Sequence, residues 1–321
     1  MKKKFLALTM AAMMLMGLVA CGGGEPAAED GKYTVGICQL AQHPALDAAT
    51  QGFMEELERQ LGAENIDWQM QNASNDPNTC NTIVNSFVSN NVDLILANAT
   101  PAVQAASAAT GTIPVLGTAV TEYGVALGIE DFSGLVGTNV SGTSDLAPLD
   151  QQAAMIRQWC PDAETVGLLY CSAEANSLYQ VKTIRAMLED DGFTCTEFAF
   201  TDSNDIAAVV QAAADASDVL YVPTDNSAAN NTGIIDGICH GKIPVFAGEA
   251  GICKGCGVAT LSISYHDLGV ATGQMAAQIL KGEAQVSQMP IGYVETITPM
   301  YNAANCQALG LTPPADYVAI D

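Results

Sequence analysis

Apolar residues follow two alternating patterns along most of the chain. Short runs rich in β-branched residues, such as residues 34–39, 92–97 and 113–116, predict buried strands. Between these runs, apolar residues recur every three or four positions, which is the spacing of one face of a helix. The first such set is Leu46, Ala49, Phe53, Leu57 and Leu61. This alternation is typical of an α/β fold in which helices cover both faces of a parallel sheet.

Three short segments of the first half recur in the same order in the second half. Thr-Val-Gly at 34–36 returns at 165–167, Ile-Pro-Val at 113–115 returns at 243–245, and Asp-Leu-Ile-Leu at 93–96 resembles Asp-Val-Leu-Tyr at 218–221. The offsets are 131, 130 and 125 residues, which is about one domain length. We therefore expect two similar Rossmann-like lobes with parallel sheets.

The division between the lobes is expected in the turn-rich segment 139–148. A predicted helix at 268–280 and a predicted strand near 293–298 fit neither repeat. We therefore expect the chain to cross between the lobes more than once, through a multi-strand hinge. Lobe 1 would comprise residues 33–142 and about 265–297, and lobe 2 residues 143–264 and about 298–321.

The first 21 residues have the pattern of an export signal. Lys2, Lys3 and Lys4 precede an apolar run of 16 residues at 5–20, which is shorter than the roughly 20 residues of a membrane span. Cys21 follows this run directly, which resembles the lipobox of bacterial lipoproteins, where the cysteine is acylated and becomes the mature N-terminus. We expect a lipoprotein signal peptide at 1–21, lipidation of Cys21 and a flexible tether at 22–32, so that the body is lipid-anchored at the extracellular face of the cell membrane. The alternative is an ordinary signal peptide with an incidental cysteine.

The net charge narrows the range of partners. Asp and Glu together number 35 among 321 residues, against 11 Lys and Arg, for a net charge of −24. Only eight basic residues remain once the three N-terminal lysines are set aside. Such a surface repels phosphate backbones, so the composition excludes nucleic-acid binding.

Ligands of open parallel sheets bind beyond the carboxyl ends of the strands. In this chain those positions are residues 39–43, 98–100, 118–121, 172–177, 224–226 and 248–249. They include the carboxylates Glu174, Asp225 and Glu249, together with hydroxyls and amides, but no Arg or Lys. A ligand with an ammonium group would find a counter-charge among them, whereas an anionic ligand would not.

The hydroxyls at the strand ends offer a place for a ligand carboxylate. We expect Thr100, Thr118 and Ser177 to hold it, together with N–H groups at helix starts, so the composition favours an α-amino acid. The plainer interpretation is that such polar residues only cap helices. For Asp225 and Glu249, which follow neighbouring strands of the second lobe, we favour contact with the ligand.

Several of these segments resemble a known protein family. They are His-Pro-Ala-Leu-Asp at 43–47, Asp-Leu-Ile-Leu at 93–96 with Ala-Thr-Pro-Ala at 99–102, Gly-Thr-Ser-Asp-Leu at 142–146, Glu-Ala-Asn-Ser at 174–177, Tyr-Val-Pro-Thr-Asp-Asn at 221–226 and Ile-Pro-Val-Phe-Ala-Gly-Glu at 243–249. Across about residues 33–312, the chain resembles substrate-binding lipoproteins of ABC transporters, in the group that includes tryptophan- and other aromatic-amino-acid-binding members.

The resemblance implies a type I periplasmic-binding-protein fold that captures a small solute by hinge closure and delivers it to an ABC permease with its ATPase. It implies ligand contacts at His43, Thr100, Thr118, Asn176, Ser177, Asp225 and Glu249. A hydrophobic or aromatic amino acid is the expected ligand, and another small cation-bearing solute, a sugar or a nucleoside are the alternatives. Trp68 and Trp159 lie away from the strand ends, where core packing is their expected role, which weighs against a sugar. No cofactor is expected.

Ten cysteines leave the disulfide pairing open. Nine remain beyond Cys21, so at least one is unpaired within a monomer. Cys239, His240, Cys253 and Cys256 are four potential zinc ligands, but the usual paired knuckle is absent and no metal site is expected. The Gly-x-Ser-x-Gly elbow of a hydrolase does not accompany His43, so we do not expect an enzyme. A zinc-carrying or sensory binding module is kept as an alternative.

Overall fold

The structure is a computed structural model, and it describes residues 31–320. The predicted signal peptide, Cys21 and most of the predicted tether lie outside these residues. Within them, no helix is both long and apolar enough to cross a membrane.

Strands and helices alternate through the first half of the described chain. They are β1 (Tyr33–Gln39), α1 (Pro44–Leu61), β2 (Ile66–Asn72), α2 (Pro77–Ser89), β3 (Leu94–Asn98), α3 (Thr100–Ala109), β4 (Val115–Val120), α4 (Tyr123–Leu127) and β5 (Val140–Ser144). The second half repeats the alternation with α5 (Leu149–Trp159), β6 (Thr165–Cys171), α6 (Ala175–Asp190), β7 (Thr194–Phe200), α7 (Ile206–Ala216), β8 (Val219–Val222), α8 (Asn226–Asn230), α9 (Thr232–Cys239), β9 (Val245–Ala247), α10 (Ala250–Cys256) and β10 (Ala259–Ile263). The remaining elements are α11 (Tyr265–Leu280), β11 (Gly292–Tyr293), β12 (Ile297–Tyr301), α12 (Ala303–Leu309) and β13 (Val318–Ala319), and short 3₁₀ turns lie at Ala63–Asn65 and Val286–Gln288.

The strands form two sheets of matching topology. One sheet has the order β11-β5-β4-β3-β1-β2 and the other β13-β12-β10-β9-β8-β6-β7. The five strands β1 to β5 and the five strands β6 to β10 therefore occupy equivalent positions, and all pairings within each set are parallel. Only β12 pairs antiparallel among the described strands, against β10. The predicted pair of similar α/β lobes is confirmed.

The chain crosses between the sheets at three points. Residues 145–148 follow β5 and lead into the second lobe, Ser264 returns the chain to the first lobe at α11, and residues 294–296 carry it back to β12. These three crossings form the multi-strand hinge that was predicted from the C-terminal helix and strand outside the two repeats. β5 continues through Ser144 in the first sheet, which is two residues beyond the lobe boundary predicted between residues 142 and 143.

Local sequence signals explain where several helices begin. The Asp76 side chain accepts a hydrogen bond from the Asn78 N–H at 2.9 Å, and Pro77 occupies the first turn of α2. Ser264 caps α11 in the same way, accepting from the Asp267 N–H at 3.2 Å. The second cap fixes where a hinge crossing becomes a helix.

Apolar layers cover both faces of each sheet. Trp68 packs edge-on against Phe53, and Trp159 against Phe246, so both tryptophans belong to cores. Helices α1 and α11 pack so closely that a Cβ on Gly269 would collide with the Ala49 carbonyl oxygen. This close contact joins α11 firmly to lobe 1.

Candidate functional site

The carboxyl ends of both parallel sheets meet around a narrow cavity. Lobe 1 and the hinge contribute His43, Ala45, Leu46, Ala119, Thr121, Asp145 and Tyr265, and lobe 2 contributes Asn176, Thr224, Asp225, Asn226, Ala229 and Glu249. The cavity has space for about one water molecule, so a larger ligand requires the wall residues to move apart. The cavity lies in the region where the rule that ligands bind beyond the carboxyl ends of strands predicts a site.

The structure brings four of the seven predicted ligand residues to the cavity wall. They are His43, Asn176, Asp225 and Glu249. The other three are buried away from it. Thr118 accepts a hydrogen bond from the Thr143 hydroxyl at 3.4 Å, Ser177 donates to Asp225 Oδ2 at 2.7 Å, and Thr100 is buried at the start of α3. These three residues are not among those that line the cavity, so their role in holding a ligand carboxylate stays a prediction.

Both predicted carboxylates line the cavity and also cap helices. Asp225 accepts from the Ala228 N–H at 2.8 Å, the Cys171 N–H at 2.7 Å and the Ser177 hydroxyl. Glu249 accepts from the Gly251 N–H at 2.6 Å at the start of α10. Burial raises the pKa of each carboxyl group to about 7, against the weaker, opposing effect of these hydrogen bonds. The plainer interpretation as helix caps therefore holds for both residues, and it does not remove them from the cavity.

Asp145 is a third buried carboxylate on the cavity wall. It follows β5 in the first hinge crossing and is 3% exposed. Its two oxygens accept from the Thr121 hydroxyl at 3.0 Å and the Tyr265 hydroxyl at 2.9 Å. Burial raises the pKa of this carboxyl group, and no Lys or Arg is among the cavity-lining residues that the structure describes. A cation would therefore be strongly stabilised beside it.

Sequence reasoning missed Asp145 and Tyr265 for one physical reason. They follow β5 and β10, the two strands that lead into the hinge, and neither strand was predicted. β5 reads Val-Ser-Gly-Thr-Ser, which lacks an apolar run and has the composition of a turn. Residues 142–146 belong to the segments that carry the family resemblance, so that signal did include Asp145.

Two buried acceptors on the cavity wall have no hydrogen-bond partner within residues 31–320. Asn226 donates its Nδ2 to Glu174 at 2.8 Å, so its Oδ1 faces His43 Nε2 at 3.2 Å, and Nε2 carries the proton. Burial lowers the pKa of His43, which keeps the ring neutral and leaves Nδ1 as an unpartnered acceptor. Asn176 Oδ1 is the second, because its Nδ2 donates to Glu174 at 3.1 Å. The cavity wall therefore includes two acceptors that a ligand with N–H or O–H donors would satisfy.

A short stretch of strained backbone forms part of the wall. Ala119 has a φ of 53°, in the left-handed region that residues other than glycine rarely adopt. The pairing between β4 and β5 shifts register between Gly117 and Val120 at the same place. Such strain persists where the surrounding structure enforces it, and it is frequent at ligand sites. Here it turns the chain so that both Ala119 and Thr121 line the cavity.

The cysteine and histidine alternatives do not converge on this site. Cys239, Cys253 and Cys256 are buried thiols, and His240 Nδ1 lies 2.9 Å from Asn305 Oδ1. In the part of the chain that the structure describes, no three His, Cys, Asp or Glu side chains are grouped so as to hold a metal ion.

Comparison with known proteins places this cavity in context. The family model for ABC transporter substrate binding proteins matches residues 34–318. A tyrosine-binding protein of Clostridioides difficile (strain R20291) is 33% identical over 96% of this chain and 93% of its own. The chain belongs to the family of ABC transporter substrate-binding proteins. The members of this family bind a solute outside the cytoplasmic membrane for an ABC permease, and they are binding proteins rather than enzymes.

Two solved structures show how the lobes of this binding protein are arranged. An ABC domain from Streptococcus pneumonia in complex with L-Trp superposes with a TM-score of 0.83 at 31% identity, over 89% of this chain and 100% of the other. The ligand-free, open structure of a Clostridium difficile substrate-binding protein with adhesive properties superposes with a TM-score of 0.70, although it is 38% identical over 90% and 99% of the chains. The protein closer in sequence is the more different in shape. This chain superposes better on the L-Trp complex than on the open structure, and the type I periplasmic-binding fold is confirmed.

Proposed function

We propose that this protein captures an aromatic amino acid, tyrosine or tryptophan, between its lobes and delivers it to an ABC permease. The observation that carries the proposal is the polarity of the cavity wall. It combines buried carboxylates with two unpartnered acceptors, and no Lys or Arg is among the lining residues described. A ligand with a permanent ammonium group and a further N–H or O–H donor matches that set, and tryptophan and tyrosine have both.

The ammonium group is proposed to bind Asp145, with Glu249 beside it. Asp145 has oxygen lone pairs left after accepting from Thr121 and Tyr265, and both it and Glu249 line the cavity. The negative charge of Asp145 raises the pKa of Glu249 further. Charge-assisted hydrogen bonds of this kind are about twice as strong as neutral ones. The two unpartnered acceptors, on His43 and Asn176, are proposed to receive the remaining ligand donors.

Small side chains form much of the apolar wall, which would admit an aromatic ring once the lobes move apart. Ala45, Ala119 and Ala229 line the cavity with Leu46 and the Tyr265 ring, so its apolar wall has few long side chains. The ligand carboxylate is proposed to accept from Thr224, whose hydroxyl now reaches the Gly248 carbonyl only at 3.5 Å, which is long for such a bond. The tyrosine-binding relative and the L-Trp complex both support a ligand of this class.

Lobe closure is the proposed mechanism of capture. Ligand contacts from both lobes favour the closed state, so binding shifts the population toward it. The proposed lipid anchor at Cys21, supported by the sequence pattern before it, would keep the protein beside its permease at the cell surface. In cells, Cys21→Ser is expected to release the protein from the membrane fraction into the medium, and retention of this variant in the membrane contradicts the anchor.

The ligand class is tested by thermal unfolding against the twenty amino acids, representative sugars and nucleosides. At a thousandfold excess over Kd, a ligand stabilises the native state by about 4 kcal/mol, which is readily measured. We expect tyrosine, tryptophan or both to raise the unfolding temperature most. Stabilisation by a sugar or a nucleoside alone contradicts the proposal.

A further inference from the structure

Two side-chain hydrogen bonds join the lobes beside the cavity. The inner one links His43 with Asn226, and both residues line the cavity. The outer one runs from Asn75 Nδ2 to Ser227 Oγ at 3.0 Å. Asn75 and Ser227 do not line the cavity. They line the vestibule, an open polar pocket formed by Asn72, Ser74 and Asn75 of lobe 1 and Glu174, Ser227 and Asn231 of lobe 2.

The turn after β2 holds Asn75 in a fixed position. Ser74 and Asn75 have φ values of 53° and 62°, so two consecutive residues adopt the left-handed conformation. The Asn75 N–H donates to the Leu40 carbonyl at 2.7 Å, and the Ser74 N–H donates to Asn72 Oδ1 at 2.8 Å. Asparagine tolerates this conformation better than most residues. The turn therefore directs the Asn75 amide toward the other lobe without further ordering.

The opposite partner is also held in place. The Ser227 N–H donates to Glu174 Oε1 at 2.8 Å, and Glu174 also accepts from the Asn226 N–H at 3.0 Å. The Ser227 hydroxyl is thus presented at the start of α8 by a buried carboxylate of its own lobe. Both ends of the bond are ordered before the lobes meet, so closure forms it at little entropic cost.

We propose that Asn75 and Ser227 form a latch, a pair of positioning residues that stabilises the closed state and sets the rate of ligand release without touching the ligand. The proposal rests on the proposed function, because it concerns release from the same cavity. The bond joins residues from separate lobes, so separation of the lobes must break it. Ligand leaves when the lobes open, so the latch slows dissociation, whereas entry into the open form does not involve it.

The test replaces Asn75 with glycine, which removes the amide and still adopts a positive φ. Removing one neutral hydrogen bond corresponds to about a two- to twelvefold rise in the dissociation rate of L-tryptophan or L-tyrosine in stopped-flow measurements. The association rate is expected not to fall, because entry into the open form does not involve the bond. Ser74→Gly is the matched control, because Ser74 lies in the same turn with the same backbone conformation but makes no bond between the lobes among the described residues.

Ser227 provides the reciprocal test. Ser227→Ala is expected to raise the dissociation rate as Asn75→Gly does, Ser227→Thr to restore the slow rate because it keeps the hydroxyl, and the double variant to release ligand no faster than either single variant. The latch is overturned if Asn75→Gly and Ser74→Gly release ligand at the same rate, or if the effects of the two single variants multiply.

Failure of the proposed function gives a different result. If the wild-type protein binds neither L-tryptophan nor L-tyrosine, the assigned ligand class is wrong, and small-angle scattering of the free protein then tests the latch. A larger radius of gyration for Asn75→Gly than for Ser74→Gly supports it, and equal radii overturn it.

Discussion

Replacing Asp145 with asparagine removes one negative charge from the cavity and keeps the shape of the side chain. In the free protein the carboxylate is buried, accepts only from the Thr121 and Tyr265 hydroxyls, and has no basic neighbour among the cavity-lining residues described. Ionising it there is costly, which is why burial raises its pKa. The variant therefore removes the proposed contact with the ligand ammonium group. It also removes a buried negative charge that destabilises the free protein.

These two consequences have opposite signs. A hydrogen bond to a charged group contributes about 1.5–3 kcal/mol, so loss of the contact with the ligand ammonium is expected to raise Kd about 10- to 150-fold. The free protein is expected to be as stable as the wild type or more so. Either hydroxyl can turn from donating to accepting and so satisfy the new amide.

The assay combines calorimetric titration of the amino acid with thermal unfolding of the free protein. Asp150→Asn is the matched control, because Asp150 is an exposed carboxylate in the first turn of α5, and its Kd is expected to match the wild type. A wild-type Kd for Asp145→Asn refutes the role of Asp145 as the ammonium partner. Weaker binding accompanied by a large loss of stability also refutes the reasoning, since it indicates a structural role.

Three further predictions follow from the buried groups. Burial raises the pKa of Asp225 and Glu249 to about 7, so the folded protein binds more protons than the unfolded chain between about pH 4 and pH 7. The stability of the free protein is therefore expected to fall as the pH rises through this range. The affinity for the amino acid is expected to improve toward pH 8 as the carboxylates ionise. Chemical denaturation and calorimetry across pH check this, and an affinity that does not change with pH contradicts it. Gly269→Ala is expected to destabilise the protein by about 1–3 kcal/mol, because the new Cβ meets the α1 backbone. Gly237→Ala places its Cβ in open space and is expected to be neutral or stabilising. Equal urea midpoints for the two variants contradict the packing argument. Cys160 is the only cysteine of the described chain that is not buried, so a thiol reagent is expected to modify it first in the native protein, as peptide mapping will show, and earlier labelling of another cysteine contradicts the burial.

The repeated segments predicted the two-lobe architecture because each repeat includes the apolar centre of a buried strand. Such strands need an uninterrupted run of apolar residues, and that requirement is visible in sequence. β5 is different, since Ser141 and Thr143 are fully buried yet polar, and they are satisfied by the Met289 carbonyl and the Thr272 hydroxyl from elements far along the chain. A strand stabilised by such distant partners leaves no local pattern, so β5 and the role of Asp145 after it were not predicted.

Side-chain direction limited the prediction of the site in a similar way. Thr118 and Ala119 are adjacent, and the left-handed backbone of Ala119 determines which of the neighbouring residues line the cavity. Likewise Ser177 follows Asn176, but only Asn176 lines the cavity, while Ser177 faces Asp225. Strand-end positions predict which loops form a site, whereas one peptide rotation decides which side chains within a loop reach it.

Titration with three related compounds tests the central claim most directly. L-Tryptophan has both charged groups, indole-3-propionate lacks the ammonium group, and tryptamine lacks the carboxylate. The acidic cavity is expected to bind tryptophan tightly, to keep part of that affinity for tryptamine, and to lose measurable binding of indole-3-propionate, because no Lys or Arg is among the described residues that line it. Binding of indole-3-propionate as tight as that of tryptophan contradicts recognition of an ammonium group by the carboxylates between the lobes.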